Sequence, residues 1–224
     1  MEHQRQAEFV TARFEKWFLP RLAARLPGGV LPDHLTVLGL AAATGIAVTY
    51  FLSNRDPSWL WAANGLVVVH WLADSLDGTL ARIRRIQRPR YGFYLDHISD
   101  AYATFAIGLG MGLSPYMLLA VSLAIVVAYL VLSINVYLET YIFGKFEYGY
   151  GAVGPTEARI LLILLNVVAL TARGLPFNLF GIGMTLFDVA GILAAVGMTG
   201  LLVTRVARNL RTLAGLEPPN VVKD

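Results

Sequence analysis

The sequence predicts an all-α membrane protein: six transmembrane helices preceded by an amphipathic interfacial helix, with both termini in the cytoplasm. Three observations predict it. Of 224 residues, 56% are apolar or aromatic and 15% are charged, against about 25% charged in an ordinary soluble domain, and the mean hydropathy is +0.59. Several apolar runs approach the ~20 residues that a bilayer-spanning helix needs. The basic residues fall almost entirely on one side of those runs.

Taken in order, the segment from about Ala7 to Arg25 alternates Phe9, Val10, Phe14, Trp17, Phe18 and Leu22 with basic residues. That spacing suits a helix lying in the membrane interface, or a solvated helix packed on a neighbouring subunit. Pro27, Gly28, Gly29 and Pro32 break it. Apolar windows then give six spans: His34 to Ser53, Ser58 to about Arg82, Tyr91 to Leu113, Tyr116 to about Glu139, Thr156 to Ala172, and Ile182 to Thr204. No repeat or long linker interrupts them. The expected organisation is a juxtamembrane helix (1–30), one six-helix domain (31–212) and a cytoplasmic tail (213–224).

With the amino terminus inside, sixteen of eighteen basic residues are cytoplasmic, and only Arg55 and Arg173 are outside. Two groups of five lead: Arg5, Arg13, Lys16, Arg21 and Arg25 in the amino-terminal segment, and Arg82, Arg84, Arg85, Arg88 and Arg90 after the second span. The first thirty residues lack a compact apolar core, so no cleavable signal peptide is expected. Cysteine is absent, which excludes disulfides, thiolate metal sites and a thiol nucleophile. Any metal must be held by oxygen or imidazole, which favours hard cations.

The charges inside the spans are the informative ones. Asp74 and Asp77 lie three apart on the second span, and Asp96 and Asp100 four apart on the third, so each pair shares a helix face. A carboxylate at the bilayer centre costs about 2.5 to 3.5 kcal/mol on insertion scales and needs compensation. The short basic loop makes the two helices antiparallel neighbours, so the four acids converge near their cytoplasmic ends as an oxygen-rich cage for one or two divalent cations. Gly78, Ala81 and Gly92 lie one turn from the acids and leave a flat strip for close helix approach or for a ligand. Arg82 closes the stretch, and its guanidinium fork suits a phosphate. Ion pairs that merely fix packing would be a costly use of these groups.

The stretch Asp74-Ser-Leu-Asp77-Gly78-Thr-Leu-Ala81-Arg82, followed by Gly92-Phe-Tyr-Leu-Asp96-His-Ile-Ser-Asp100, resembles the signature of the CDP-alcohol phosphotransferases, D-x2-D-G-x2-A-R-x8-G-x3-D-x3-D. All eight defining residues occur in order across 27 residues. Two departures stand out. Nine residues, Ile83 to Tyr91, separate Arg82 from Gly92 where the pattern has eight. In Pro32-Asp33-His34-Leu35-Thr36, similar to a P-N-x-L-T stretch of the family, Asp replaces Asn.

The resemblance implies transfer of a phosphatidyl or other phosphoalkyl group from a CDP-linked donor, typically CDP-diacylglycerol, to an acceptor alcohol, with release of CMP at the cytoplasmic face of a bacterial-type membrane. By motif position it implies Asp74, Asp77 and Asp96 as ligands of Mg2+ or Mn2+, and Asp100 as general base that also touches a metal. Gly78, Ala81, Arg82, Gly92 and, more weakly, Thr36 would serve the CDP donor together with Asp74 and Asp96. A homodimer is also implied, and Gly108 and Gly112 would mediate close packing in the fold or between subunits.

The acceptor is least determined. Gly154-Pro155-Thr156-Glu157-Ala158-Arg159 resembles a G-P-T-E stretch of the choline and ethanolamine phosphotransferase branch, in which diacylglycerol is the acceptor. Thr156 would equally be a plain N-cap with Glu157 favouring the helix dipole. Glu157 would contact a cationic or hydroxylated acceptor, whereas Lys145, Arg159, Arg205 and Arg208 would bind a phosphorylated one or, as basic residues near the cytoplasmic interface more often do, anchor lipid headgroups. His70, Asn64, Asn135 and Asn166 read as interhelical hydrogen-bonders. A cation transporter is the rival class, and would predict acids spread through the membrane depth or a repeat between halves.

Overall fold

The computed structural model describes residues 11–144, 154–172, 176–179 and 181–217. These form seven helices and a short ribbon: α1 (Ala12–Ala24), α2 (Pro32–Leu52), α3 (Trp59–Ile83), α4 (Pro89–Gly112), α5 (Leu119–Phe143), α6 (Pro155–Ala172), β1 (Phe177–Leu179), β2 (Ile182–Met184) and α7 (Leu186–Leu216). α2 packs on α3 and α4, α3 on α1 and α6, α4 on α5, and α5 on α7. All six apolar segments are helical. Four of the helices, α2, α5, α6 and α7, are both long and apolar enough to cross a bilayer. α3 and α4, with 25 and 24 residues, have the length but carry the aspartates, which dilute their apolar character.

The fold is all-α apart from the short ribbon, which corrects the start of the last segment. Phe177–Leu179 pairs antiparallel with Ile182–Met184, and Gly181 supplies the left-handed φ of 84° at the turn. α7 starts after it because Thr185 and Asp188 form a capping box: Thr185 Oγ1 accepts from the Phe187 amide, and Asp188 Oδ2 from the Thr185 amide. Asp188 Oδ1 also accepts from the Leu118 amide, so this buried acid is a structural cap. α7 continues to Leu216, past the expected domain end at residue 212.

α1 packs on its own chain: Leu19 and Ala23 are buried against Leu35, Leu76 and Leu80, while Phe14 and Trp17 face outward. Arg84 stitches the link between α1 and α2, donating to the carbonyls of Leu26, Pro27, Gly28 and Val30. α3 ends in a Schellman motif, with Ile86 N bonded to Ala81 O and Arg85 N to Arg82 O. The motif forces Arg85 to a φ of 56°.

Glycines set the closest helix approaches. A Cβ at Gly110 would lie 2.4 Å from Ala47 Cα on α2, and one at Gly108 2.3 Å from Val126 on α5. A Cβ at Gly112 would lie 2.8 Å from Leu119. Gly108 and Gly112 therefore pack α4 against α5 within the fold. Asn166 joins three helices, accepting from the Tyr50 hydroxyl at 2.7 Å and donating to Asn64 Oδ1 at 2.8 Å. Asn135 instead donates to Glu139 on its own helix, so it is not the interhelical bonder its position suggested.

Candidate active site

Asp74 and Asp77 from α3, Asp96 and Asp100 from α4, and Thr36 from α2 line one cavity of about 300 Å³, together with Gly39, Leu40, His70 and Ser99. The four aspartates reach it from α3 and α4 because their three- and four-residue spacings keep each pair on one face. Those two helices each pack on α2, not on one another as the short loop between them predicts. Asp77 is anchored at both oxygens: Oδ2 accepts from Thr36 Oγ1 at 2.9 Å, and Oδ1 from the Gly78 amide at 2.5 Å. Asp74 Oδ2 accepts from Arg159 of α6 at 2.7 Å. Asp100 accepts no hydrogen bond from any described residue. Ser99 Oγ is buried without a hydrogen-bond partner.

Some expected site residues lie elsewhere. Gly78, Ala81, Arg82 and Gly92 are absent from the cavity lining among the described residues. Arg82 donates to Thr79 on its own helix at 3.0 Å. No protein atom would meet a Cβ at Gly92, so its small size serves no helix packing. His97 sits against the rings of Phe93 and Tyr137, with Nδ1 3.6 Å from Asp96 Oδ2, outside the lining.

The acceptor candidates separate clearly. Glu157 accepts from the Thr11 amide and hydroxyl and from the Gly154 amide, so it fastens the start of α1 to α6. Thr156 is not an N-cap; it lies inside α6 and donates to Glu15 of α1. Arg205 is buried on α7 and held by both oxygens of Glu139, away from the cavity lining. Arg159 alone of these reaches a cavity residue. Lys145 lies outside the described residues.

The residues missed from sequence had a usable signal. His70 precedes Asp74 by one turn, Ser99 follows Asp96 by three residues, and Gly39 and Leu40 follow Thr36 by three and four. Each lies on the same helical face as a residue already singled out.

No three acids or histidines among the described residues are arranged to hold a metal ion; Asp74 is turned onto Arg159, and Asp77 onto Thr36 and Gly78. The donor set nevertheless suits one. Four carboxylates share the cavity, Arg159 pairs with Asp74, and a buried serine hydroxyl beside them has no hydrogen-bond partner among the described residues. This surplus of hard oxygen donors fits Mg2+ or Mn2+.

Comparison with known proteins agrees with the motif. The chain is similar to a CDP-diacylglycerol–glycerol-3-phosphate 3-phosphatidyltransferase of Cereibacter sphaeroides, with 36% identity over 99 residues, 42% of this chain and 43% of that one. That match thus spans less than half of the relative's length. A phosphatidylinositol phosphate synthase of Mycolicibacterium smegmatis is 29% identical over 201 residues, 85% and 83% of the two chains. The fold is shared with the phosphatidylinositol phosphate synthase of Mycobacterium tuberculosis. Its apo form has a TM-score of 0.59 at 24% identity, covering 84% of this chain and 92% of that one. Its form with CDP-DAG bound has 0.54 at 23%, covering 93% and 98%. Residues 29–208 match CDP-alcohol phosphatidyltransferase as a family, and with the aspartates gathered on one cavity, the chain belongs to the CDP-alcohol phosphatidyltransferase family.

Proposed function

We propose that this protein transfers the phosphatidyl group of CDP-diacylglycerol to the hydroxyl of a phosphorylated alcohol and releases CMP. In this reading α3 and α4 complete six spans, and both termini and the cavity face the cytoplasm. The observation that carries it is the convergence of Asp74, Asp77, Asp96 and Asp100 on one cavity. The names of the relatives, which act with glycerol 3-phosphate or make phosphatidylinositol phosphate, support a phosphorylated acceptor. So does Arg159, a guanidinium already at the edge of the cavity through Asp74.

The chemistry is a displacement at the phosphatidyl phosphorus. The acceptor oxygen forms the new P–O bond, the bond to the CMP phosphate breaks with its electrons on CMP, and the acceptor proton goes to Asp100. Asp100 suits that role because no described residue donates to it, leaving its oxygens open to a substrate hydroxyl. Asp74, Asp77, Asp96 and Asp100 would hold Mg2+ or Mn2+, which when bound supplies charge neutralisation for the pyrophosphate. Thr36 fixes the Asp77 carboxylate. The open space at Gly92 leaves room for the donor's head group beside α4.

The decisive test is an acceptor screen with radiolabelled CDP-diacylglycerol and mass identification of the lipid product. It should include glycerol phosphate, inositol phosphate, serine, inositol, choline and ethanolamine. Product with a phosphorylated acceptor is expected; product only with an unphosphorylated one would refute the acceptor class. Asp74→Ala and Asp96→Ala should each lose activity together with Mg2+ or Mn2+ binding, and unchanged metal binding in both would refute the carboxylate site.

A further inference from the structure

One imidazole stands in the wall of the acidic cavity. From sequence His70 reads as an interhelical hydrogen-bonder, yet it makes no hydrogen bond to any described residue. It is only 7% exposed, and it lines the cavity with the four aspartates. A polar side chain so buried ordinarily has a partner, and leaving it without one is costly. The wall offers little. Gly39 and Leu40 of α2 carry no polar side chain, Thr36 is committed to Asp77 and the Pro32 carbonyl, and Asp77 to Thr36 and the Gly78 amide.

The spacing along α3 points the same way. His70, Asp74 and Asp77 follow one another at intervals of four and three residues, so all three lie along one helix face. Donors four apart on a helix can close on a single ion, as paired histidines at that spacing do in zinc sites. His70 stands one turn, about 6 Å, before Asp74, and it is within electrostatic range of Asp74 and Arg159. Asp74 Oδ2 is turned onto Arg159, so joint ligation asks for a rotation of that side chain and leaves the helix backbone as it is. The other histidine near the acids, His97, packs against the rings of Phe93 and Tyr137 and does not line the cavity.

An imidazole changes which cation such a site prefers. Mg2+ takes oxygen ligands and gives up water reluctantly, whereas an imidazole nitrogen suits transition-metal dications better than it suits Mg2+. Carboxylates alone make a site for hard cations. One added neutral nitrogen shifts the balance toward Mn2+ without adding negative charge.

We propose that His70 is a nitrogen ligand to the metal ion held at Asp74, and that it sets a preference of the site for Mn2+ over Mg2+. The proposal rests on the reading of the aspartates as a metal site.

The test uses the full chain in nanodiscs, loaded with Mn2+ without substrate, and reads the electron spin-echo of the ion. A bound imidazole should imprint a nitrogen modulation on that signal, and isotopic labelling of histidine nitrogen should change its frequency. His70→Leu should abolish the modulation, and His97→Leu should keep it. Equilibrium titration should show that His70→Leu binds Mn2+ about tenfold more weakly, with Mg2+ affinity within about twofold of the parent. Mn2+ bound by the parent without nitrogen modulation would overturn the proposal and leave the carboxylate site standing, and that reading does not depend on how any variant folds. Modulation that survives in His70→Leu, or an equal loss of affinity for both ions, would also overturn it. A parent protein that binds neither ion would overturn the carboxylate site as well.

Discussion

Two charge clusters in the bundle treat their carboxylates in opposite ways. Between α5 and α7, Glu139 receives two bonds from Arg205 and further ones from Asn135 and Asn209. One carboxylate meets one guanidinium and two amides, and the cluster is complete in itself. Among α2, α3 and α4, four aspartates share a cavity, and Arg159 of α6 contacts Asp74 there. The first cluster is closed by the protein's own donors, as a structural ion pair must be. The second gathers four carboxylates on one cavity, a set of hard oxygen donors that suits a cation. An acid on an apolar helix therefore does not mark a site by itself; several acids gathered on one cavity do.

The sharpest test of this contrast is Asp100→Asn. It should lower kcat by about 10²- to 10⁴-fold, the usual range for a general base, while donor binding measured by equilibrium titration persists. Wild-type-like turnover would remove Asp100 from that role.

The opposite response is expected in the closed cluster. Glu139→Ala should destabilise the protein by about 3 to 5 kcal/mol, because Arg205 is left as an uncompensated buried charge. Thermal unfolding in detergent reads the loss. The double variant Glu139→Leu with Arg205→Met should recover most of it, since a well-packed apolar pair often replaces a buried ion pair without cost. A double variant no more stable than Glu139→Ala would show that the cluster does more than balance charge.

A smaller effect is expected at the boundary of the acidic cavity. Thr36→Val removes one donor to Asp77 and should cost about 1 kcal/mol, seen as a several-fold weaker metal affinity with little change in melting temperature. Smallest of all, Arg85→Gly should raise stability by up to about 1 kcal/mol, because the left-handed backbone that closes α3 suits glycine. Unchanged or lower stability would mean that the Arg85 side chain contributes more than its backbone costs.

Much of the site was legible because a helix has a fixed period. The spacings of Asp74 with Asp77 and of Asp96 with Asp100 put each pair on one face whatever surrounds it, whereas the short loop of arginines predicts α3 and α4 as packed neighbours and the structure instead packs each of them on α2. The same rule marks Ser99 and also His70, which reads from sequence as an interhelical hydrogen-bonder but lines the cavity; neither belongs to the motif. The hydropathy pattern located six helical segments, and it failed at Ile182, where an apolar run begins as a strand before Thr185 caps the helix. Local apolarity cannot distinguish the two in so short a run.

The sequence by itself determined the membrane class, the helical segments, the acidic faces and the family motif, all of which rest on neighbours within a few residues or on composition. The tertiary structure decided the partner of each long side chain. Arg159 meets Asp74 from 85 residues away, Arg205 meets Glu139 from 66, and Arg88 meets Asp33 from 55. Glu157 was turned to α1, and Arg205 into a closed ion pair, for the same reason. Helix periodicity fixes the direction in which a side chain leaves its own helix; which charge it meets there depends on which helices pack together, and that is set by the shape of their buried surfaces, such as the close approach of Gly110 to Ala47.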